Sequence, residues 1–339
     1  MTVRAILIPL VLAGAPLFAV ASLDAAAAEV PPLRLEAKIP LGSIRGRIDH
    51  LAVDLGRRRL FVAELGNDSV GVIDLKVGRT TRTLTGLHEP QGIGYVASTD
   101  SVFVANGDDG SVRVFHGEDL VPSGKIELGD DADNVRVDDA AGRVWVGYGS
   151  GGLAAIDPVR MLKVADIRLK AHPESFRLER SGGRIFVNVP NGGEIAVVDR
   201  RTQRQVASWP TDALRANFPL FIGGDGRLVS VFRQPAKFAI YQPADGHLLA
   251  AVDTCGDSDD VFVDSKRRRV YVICGEGAID VFEGRGETYV ALARIETLAG
   301  ARTGLFVPEL DRLFVAARAR GGKPAAVWVY RPAAEAAPR

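Results

Sequence analysis

The chain has 339 residues, 47% hydrophobic and 25% charged, and its 42 basic residues balance 42 acidic ones. A formal charge of zero offers neither a basic surface for nucleic-acid phosphates nor a like-charge block for a membrane surface, so neither partner is expected. The 37 glycines call for many tight turns.

The N-terminus reads as a processing signal. Arg4 supplies a positive start, residues 6–20 form an apolar run weakened by Gly14 and Pro16, and Ala-x-Ala patterns follow at 19–21 and 26–28. Cleavage after Ala28 is preferred, with Ala21 as the alternative. The run is short for a membrane span of about 20 residues. No cysteine follows it to carry a lipid. The expectation is a signal peptide over 1–28, a periplasmic or secreted product free of the membrane after cleavage, one domain over 29–331 and a disordered tail over 332–339.

The mature chain is a repeat. RLFVA at 59–63 returns as SVFVA at 101–105, RVWVG at 143–147, RIFVN at 184–188, RLVSV at 227–231, RVYVI at 269–273 and RLFVA at 312–316. Successive copies start 42, 42, 41, 43, 42 and 43 residues apart. A period in the low forties, with several short strands per unit, is the pattern of propeller blades. In the first unit, residues 51–54 read as an innermost strand A, 60–63 as B, 70–74 as C and 80–85 as an outer strand D. Strands A and B are mostly apolar, as strands packed on both faces must be. Outer strands such as 124–128 and 165–169 mix polar and apolar residues.

The seventh unit lacks its outer strand. After strand C at 327–330 come Arg331, Pro332 and an Ala/Pro tail, while an orphan β run stands at 33–39. The expected fold is all-β, a seven-bladed β-propeller of four-stranded antiparallel blades, closed by residues 33–39 completing blade 7. Closure matters because an open blade would expose unpaired edge groups.

The phrases LFVAELGNDSVGVID (60–74), VFVANGDDGSVRVF (102–115) and IFVNVPNGGEIAVVD (185–199) resemble the YVTN-type repeat, a family of seven-bladed propellers related in shape to the haem domain of periplasmic nitrite reductase. The resemblance covers residues 33–331. It implies the fold and leaves the activity open: members are mostly exported binding or surface proteins, and related propellers include metal-assisted lyases and lactonases.

In such a fold the D-to-A loops lead into the central channel on one face. Here they are residues 45–50, 87–91, 130–134, 170–175, 212–218, 255–260 and 300–303. Three of the five histidines fall there, with a cluster of acids. The candidate ligand-binding set is Asp49, His50, His88, Glu89, Gln91, Asp133, Asn134, His172, Glu174, Asn217, Asp259 and Arg302. Within it, His50, Asp133, Glu174 and Asp259 are candidate metal ligands. Imidazoles and carboxylates converging on one funnel could hold a divalent metal or a cationic ligand, or act as acid and base. The same residue types also cap turns through nearby backbone N–H groups.

Other chemistries find less support. A CxxCH motif is absent, which excludes covalent haem. Trp145, Trp209 and Trp328 occupy unrelated repeat positions and read as packing. Ser150 lies in a glycine-rich B-to-C turn rather than a strand-to-helix elbow. No catalytic residue can be assigned, and a divalent metal is the cofactor left open. Cys255 and Cys274 end neighbouring strands of one hairpin. An oxidising compartment favours a disulfide between them, with two packed free thiols as the alternative. Basic loops at 233–237 and 317–326 could face the acidic loops of blades 2 and 3.

Two functions therefore stand. The first is an exported, monomeric binding or interaction module whose loop face takes a small ligand, a metal or a protein partner. The second is a metal-assisted lyase or lactone hydrolase, with funnel carboxylates and a histidine around a divalent cation.

Overall fold

Each repeat folds into one antiparallel four-stranded sheet. In the computed structural model seven such sheets, counted among the described residues, run from Leu33 to Pro332. The structure describes residues 1–2, 30–286 and 288–334. The expected leader, apart from its first two residues, lies outside the described residues, as does 335–339 of the expected tail.

Blade 1 runs from strand A to strand D as Leu51–Asp54, Arg59–Glu64, Ser69–Asp74 and Arg79–Leu84. Six B strands start on the first residue of the repeated phrase, and blade 5 starts one residue later, at Leu228. The phrase is apolar throughout because alternate side chains enter two different blade interfaces. Leu60 and Val62 pack towards blade 7, while Phe61 and Ala63 pack towards blade 2. The core is thus a set of inter-blade layers around a channel.

The ring closes through both ends of the chain. Strand Leu33–Pro40 pairs antiparallel with Ala326–Pro332, so it is the outer strand of blade 7. Leu33 packs into the blade 6–7 layer and Ile39 into the blade 7–1 layer. Leu41 N–H donates to Ala325 O at 3.0 Å, and Ala333 N–H donates to Pro32 O at 2.9 Å. The blade therefore extends past residue 331, because the last residues pair with the first of the incoming strand.

One local expectation changes and another, the disulfide, is met. The basic loop expected at 233–237 is a tight hairpin, with strands Leu228–Gln234 and Ala236–Tyr241 meeting at Pro235. Arg233 pairs within the ladder opposite Ala236, and its side chain reaches blade 6 rather than blades 2 or 3. Cys255 and Cys274 are disulfide-bonded with Cα atoms 5.8 Å apart, which sets aside the free-thiol alternative. Both cysteines are buried in the blade 5–6 layer.

Candidate functional site

One repeat position builds the site. Asp49, Gln91, Asp133, Glu174, Asn217, Asp259 and Arg302 each stand ten residues before the start of the B phrase of their own blade. Where strand B repeats almost the same residue type, this position varies in charge and size. It falls where each D-to-A loop enters the innermost strand, and six of the seven copies, all but Asn217, face one end of the channel.

The result is a cavity of about 540 Å³ to which every D-to-A loop contributes. Arg47, Asp49, His50, Glu89, Gln91, Asp131, Asp133, His172, Glu174, Asp259 and Arg302 line it, with Leu65, Asn191 and Phe218 as the uncharged remainder. Such a wall suits a polar ligand more than an apolar one.

Charge within the funnel is arranged in pairs. Arg302 Nε lies 2.8 Å from Asp259 Oδ2, and Arg233 Nη2 lies 2.6 Å from Asp259 Oδ1. Arg233 also stacks on the Phe218 ring at 3.5 Å from its centroid. His50 Nδ1 is 3.4 Å from Asp260 Oδ2, which in turn accepts from Gly304 N–H at 2.9 Å. His172 Nδ1 donates to Gly149 O at 2.7 Å and faces Asp131 Oδ2 at 3.4 Å.

These surroundings fix protonation. Burial alone would lower the His50 pKa, but Asp260, Asp49 and Asp133 outweigh it and raise it to about 10. Burial likewise opposes His172, and Asp133, the Gly149 carbonyl and Asp131 raise its pKa to about 9. Both imidazoles are therefore cations at neutral pH. Glu174 behaves oppositely: burial, then Asp133 and Asp259, raise its pKa to about 8. Glu174 is thus mostly a neutral acid at pH 7. Asp259 is raised by burial to about 6, against the pull of Arg302 and Arg233, and stays ionised at neutral pH.

Asp49 is the least satisfied group. It is 1% exposed, and burial raises its pKa. Arg47 Nη2 lies 2.7 Å from Oδ2, yet neither oxygen accepts a well-directed hydrogen bond. A buried carboxylate in that state costs stability unless something completes its shell.

Nine of the twelve candidate residues line the cavity. His88, Asn134 and Asn217 do not. His88 is exposed, and its contact is backbone N–H to Asn106 Oδ1 at 3.0 Å. Asn134 Oδ1 accepts from Arg136 Nη2 at 2.9 Å. Asn217 donates to Asn188 Oδ1 and Glu194 O, each at 3.0 Å, inside the blade 4–5 wall. The irregularity in blade 5 starts one residue later than those of blades 2, 3 and 6, so Asn217 stays paired with Phe232 and Phe218 lines the funnel instead. Arg47, Asp131 and Arg233 belong to the site beyond the predicted set. The first two sit in the loops already singled out, and Arg233 opens the basic 233–237 stretch, expected to face blades 2 and 3 but reaching blade 6 instead.

The four metal candidates do not converge. Among the described residues no group of three or more His, Cys, Asp or Glu side chains is placed to hold a metal ion. A metal would also have to displace the proton from His50 and break its pairing with Asp260.

These features define a seven-bladed β-propeller with a charged, channel-capping funnel. No protein-family model and no curated protein matches the chain. Solved structures do. The chain is similar to a Kuenenia stuttgartiensis hydrazine synthase structure, with a TM-score of 0.70 and 16% identity over 79% of this chain and 91% of that one. It is also similar to a chain in a mitotic checkpoint complex structure, with a TM-score of 0.69 and 12% identity over 89% and 97% of the two chains. At these identities the likeness is one of fold. Among the described residues no helix is long and apolar enough to cross a membrane.

Proposed function

We propose that the protein is an exported propeller of the YVTN-repeat type whose funnel binds a small, polar, hydrogen-bond-donating ligand, a zwitterion or a polyol. The observation that carries this reading is the pair of acids held at a cost in the funnel: Asp49, buried without a directed hydrogen bond, and Glu174, whose pKa burial lifts to about 8. A scaffold needs neither. A ligand amine or hydroxyl would supply the donors that Asp49 lacks, and Arg47 and Arg302 in the same wall would accept an anionic end. The signal peptide and the disulfide support export to an oxidising compartment. A monomer with its loop face open to the ligand fits this role.

Glu174 also favours a second reading. A carboxyl with a pKa near neutrality beside an ionised Asp259 can exchange a proton with a bound substrate. This is acid–base catalysis by the chain's own groups. The metal-assisted lyase or lactone hydrolase form has weaker support, since the imidazoles are protonated and paired.

Thermal melts against a panel of amino acids, amines and sugars test the main reading. A ligand at a hundred times its Kd adds roughly 2.7 kcal/mol, which raises the melting temperature by about 5 °C for a chain of this size. The expected hit loses its effect in Asp49→Asn and Glu174→Ala and keeps it in His88→Ala and Asn217→Ala. A panel without hits, or hits indifferent to the first two variants, would overturn the proposal.

A further inference from the structure

Deeper in the channel the repeat supplies a second ring. Ala52, Gly94, Arg136, Arg177, Phe221, Phe262 and Leu305 each pair with the third residue of the B phrase in their own blade. Blades 1 and 2 contribute small residues, blades 3 and 4 guanidinium groups, and blades 5 and 6 aromatic rings. Six of the seven line a throat of about 280 Å³ that begins at His50, under the funnel. Arg177 lines both this throat and a further cavity of about 710 Å³, bounded by the A-to-B turns of blades 4 to 7. That cavity opens on the face opposite the funnel.

The two arginines differ in their partners. Arg136 is engaged by its neighbours, donating to Val135 O at 2.8 Å, Asn134 Oδ1 at 2.9 Å and Phe176 O at 3.2 Å. Arg177 has one long contact, to Phe176 O at 3.4 Å, and among the described residues no carboxylate pairs with it. Burial and the neighbouring Arg136 push its pKa down to about 9, so it remains a cation at neutral pH. Three of the four acids at the mouth are taken: Glu179 by Arg184 at 2.6 Å, and Asp264 and Asp311 by Arg267 at 2.9 and 2.7 Å, while the fourth, Glu309, is exposed to solvent. An unpaired guanidinium deep in a channel is costly, and a bidentate anion is the partner its geometry fits. Phe221, Ile222, Phe262 and Phe306 form an apolar part of the wall, and Arg180 and Lys266 add positive charge at its mouth.

We propose that this lower mouth is a second ligand site, for an organic monoanion with a flat apolar body. Its carboxylate or sulfonate sits on Arg177, and its body packs against Phe262, Phe306 and Ile222. The site uses none of the funnel acids, so it stands or falls apart from the function proposed above.

Anilinonaphthalene sulfonate, an aromatic anion that fluoresces in apolar sites, is a direct probe, and neutral phenylnaphthylamine is its control. The full-length protein should bind the anion at one saturable site, at least about tenfold tighter than the neutral compound, as a charge-assisted bidentate contact requires. Arg177→Gln should abolish that preference and melt close to the wild-type temperature, since the half-buried Arg177 bears no ion pair. Arg177→Lys should retain part of the preference, and Asp49→Asn in the funnel should leave it unchanged. Equal binding of the two probes by the wild-type protein overturns the proposal even if a variant fails to fold, and so does an anion preference that survives Arg177→Gln.

Discussion

Glu174→Gln tests whether the funnel holds a carboxyl against its ordinary ionisation. The folded-state pKa is about 8, against 4.5 for an unperturbed glutamate. Above about pH 4.5 the unfolded chain releases this proton while the folded protein keeps it. Wild-type stability therefore falls as pH rises, by about 1.4 kcal/mol per unit. The fall ends near pH 8, where the folded group ionises too. Over that window the ceiling is about 5 kcal/mol. Glutamine mimics the protonated acid and does not titrate.

Urea unfolding of both proteins at several pH values gives the difference directly. The two should agree to within about 1 kcal/mol near pH 5, and the variant should be several kcal/mol more stable near pH 9. His50 and His172, raised to about 10 and about 9, stabilise the fold below about pH 6.5 and lose that contribution as pH climbs through those values. Both proteins share them, so the difference retains only the attraction of His172 for Glu174, which appears once Glu174 ionises above about pH 8. A gap that is constant with pH, or a wild type more stable at pH 9, would refute the reasoning.

Two further outcomes concern the scaffold. Deleting residues 30–41 removes the outer strand of blade 7 and the buried Leu33, Ile39 and Leu41, so the melting temperature should drop sharply. Leu33→Ala alone should cost about 2–5 kcal/mol, and an unchanged melt in both would contradict closure by the N-terminal strand. Reducing the Cys255–Cys274 bridge, which spans a separation of 19 residues, should cost about 3 kcal/mol. Calorimetry with and without reductant checks this, and equal transitions would show that the bridge adds nothing.

The fold was legible because its signal is repeated. Leu60, Phe61, Val62 and Ala63 follow one physical rule, burial on both faces between blades, and the rule returns every 41 to 43 residues. The incomplete seventh unit and the orphan run at 33–39 then fixed the closure. The funnel was only partly legible. Position within a D-to-A loop places a residue near the channel, but one residue of offset decides whether it faces the cavity or the wall. Counting ten back from the B phrase finds Asp49, Gln91, Asp133, Glu174, Asp259 and Arg302. It fails at Asn217, where the strand irregularity comes one residue later than in blades 2, 3 and 6. Arg233 was flagged only as part of a basic loop, and its partner on blade 6 was missed because that contact is tertiary and has no local signature. Arg177 escaped for a different reason: within its own strand, FRL, it looks like an ordinary surface arginine.

The central claim is that the funnel acids await a hydrogen-bond donor. A crystal structure of the protein with the strongest hit from the melting panel tests it most directly. The account predicts the ligand seated in the funnel, donating to Asp49 and Glu174 and lying within reach of Arg302. A ligand bound elsewhere, with Asp49 left as it is in the free protein, would contradict it.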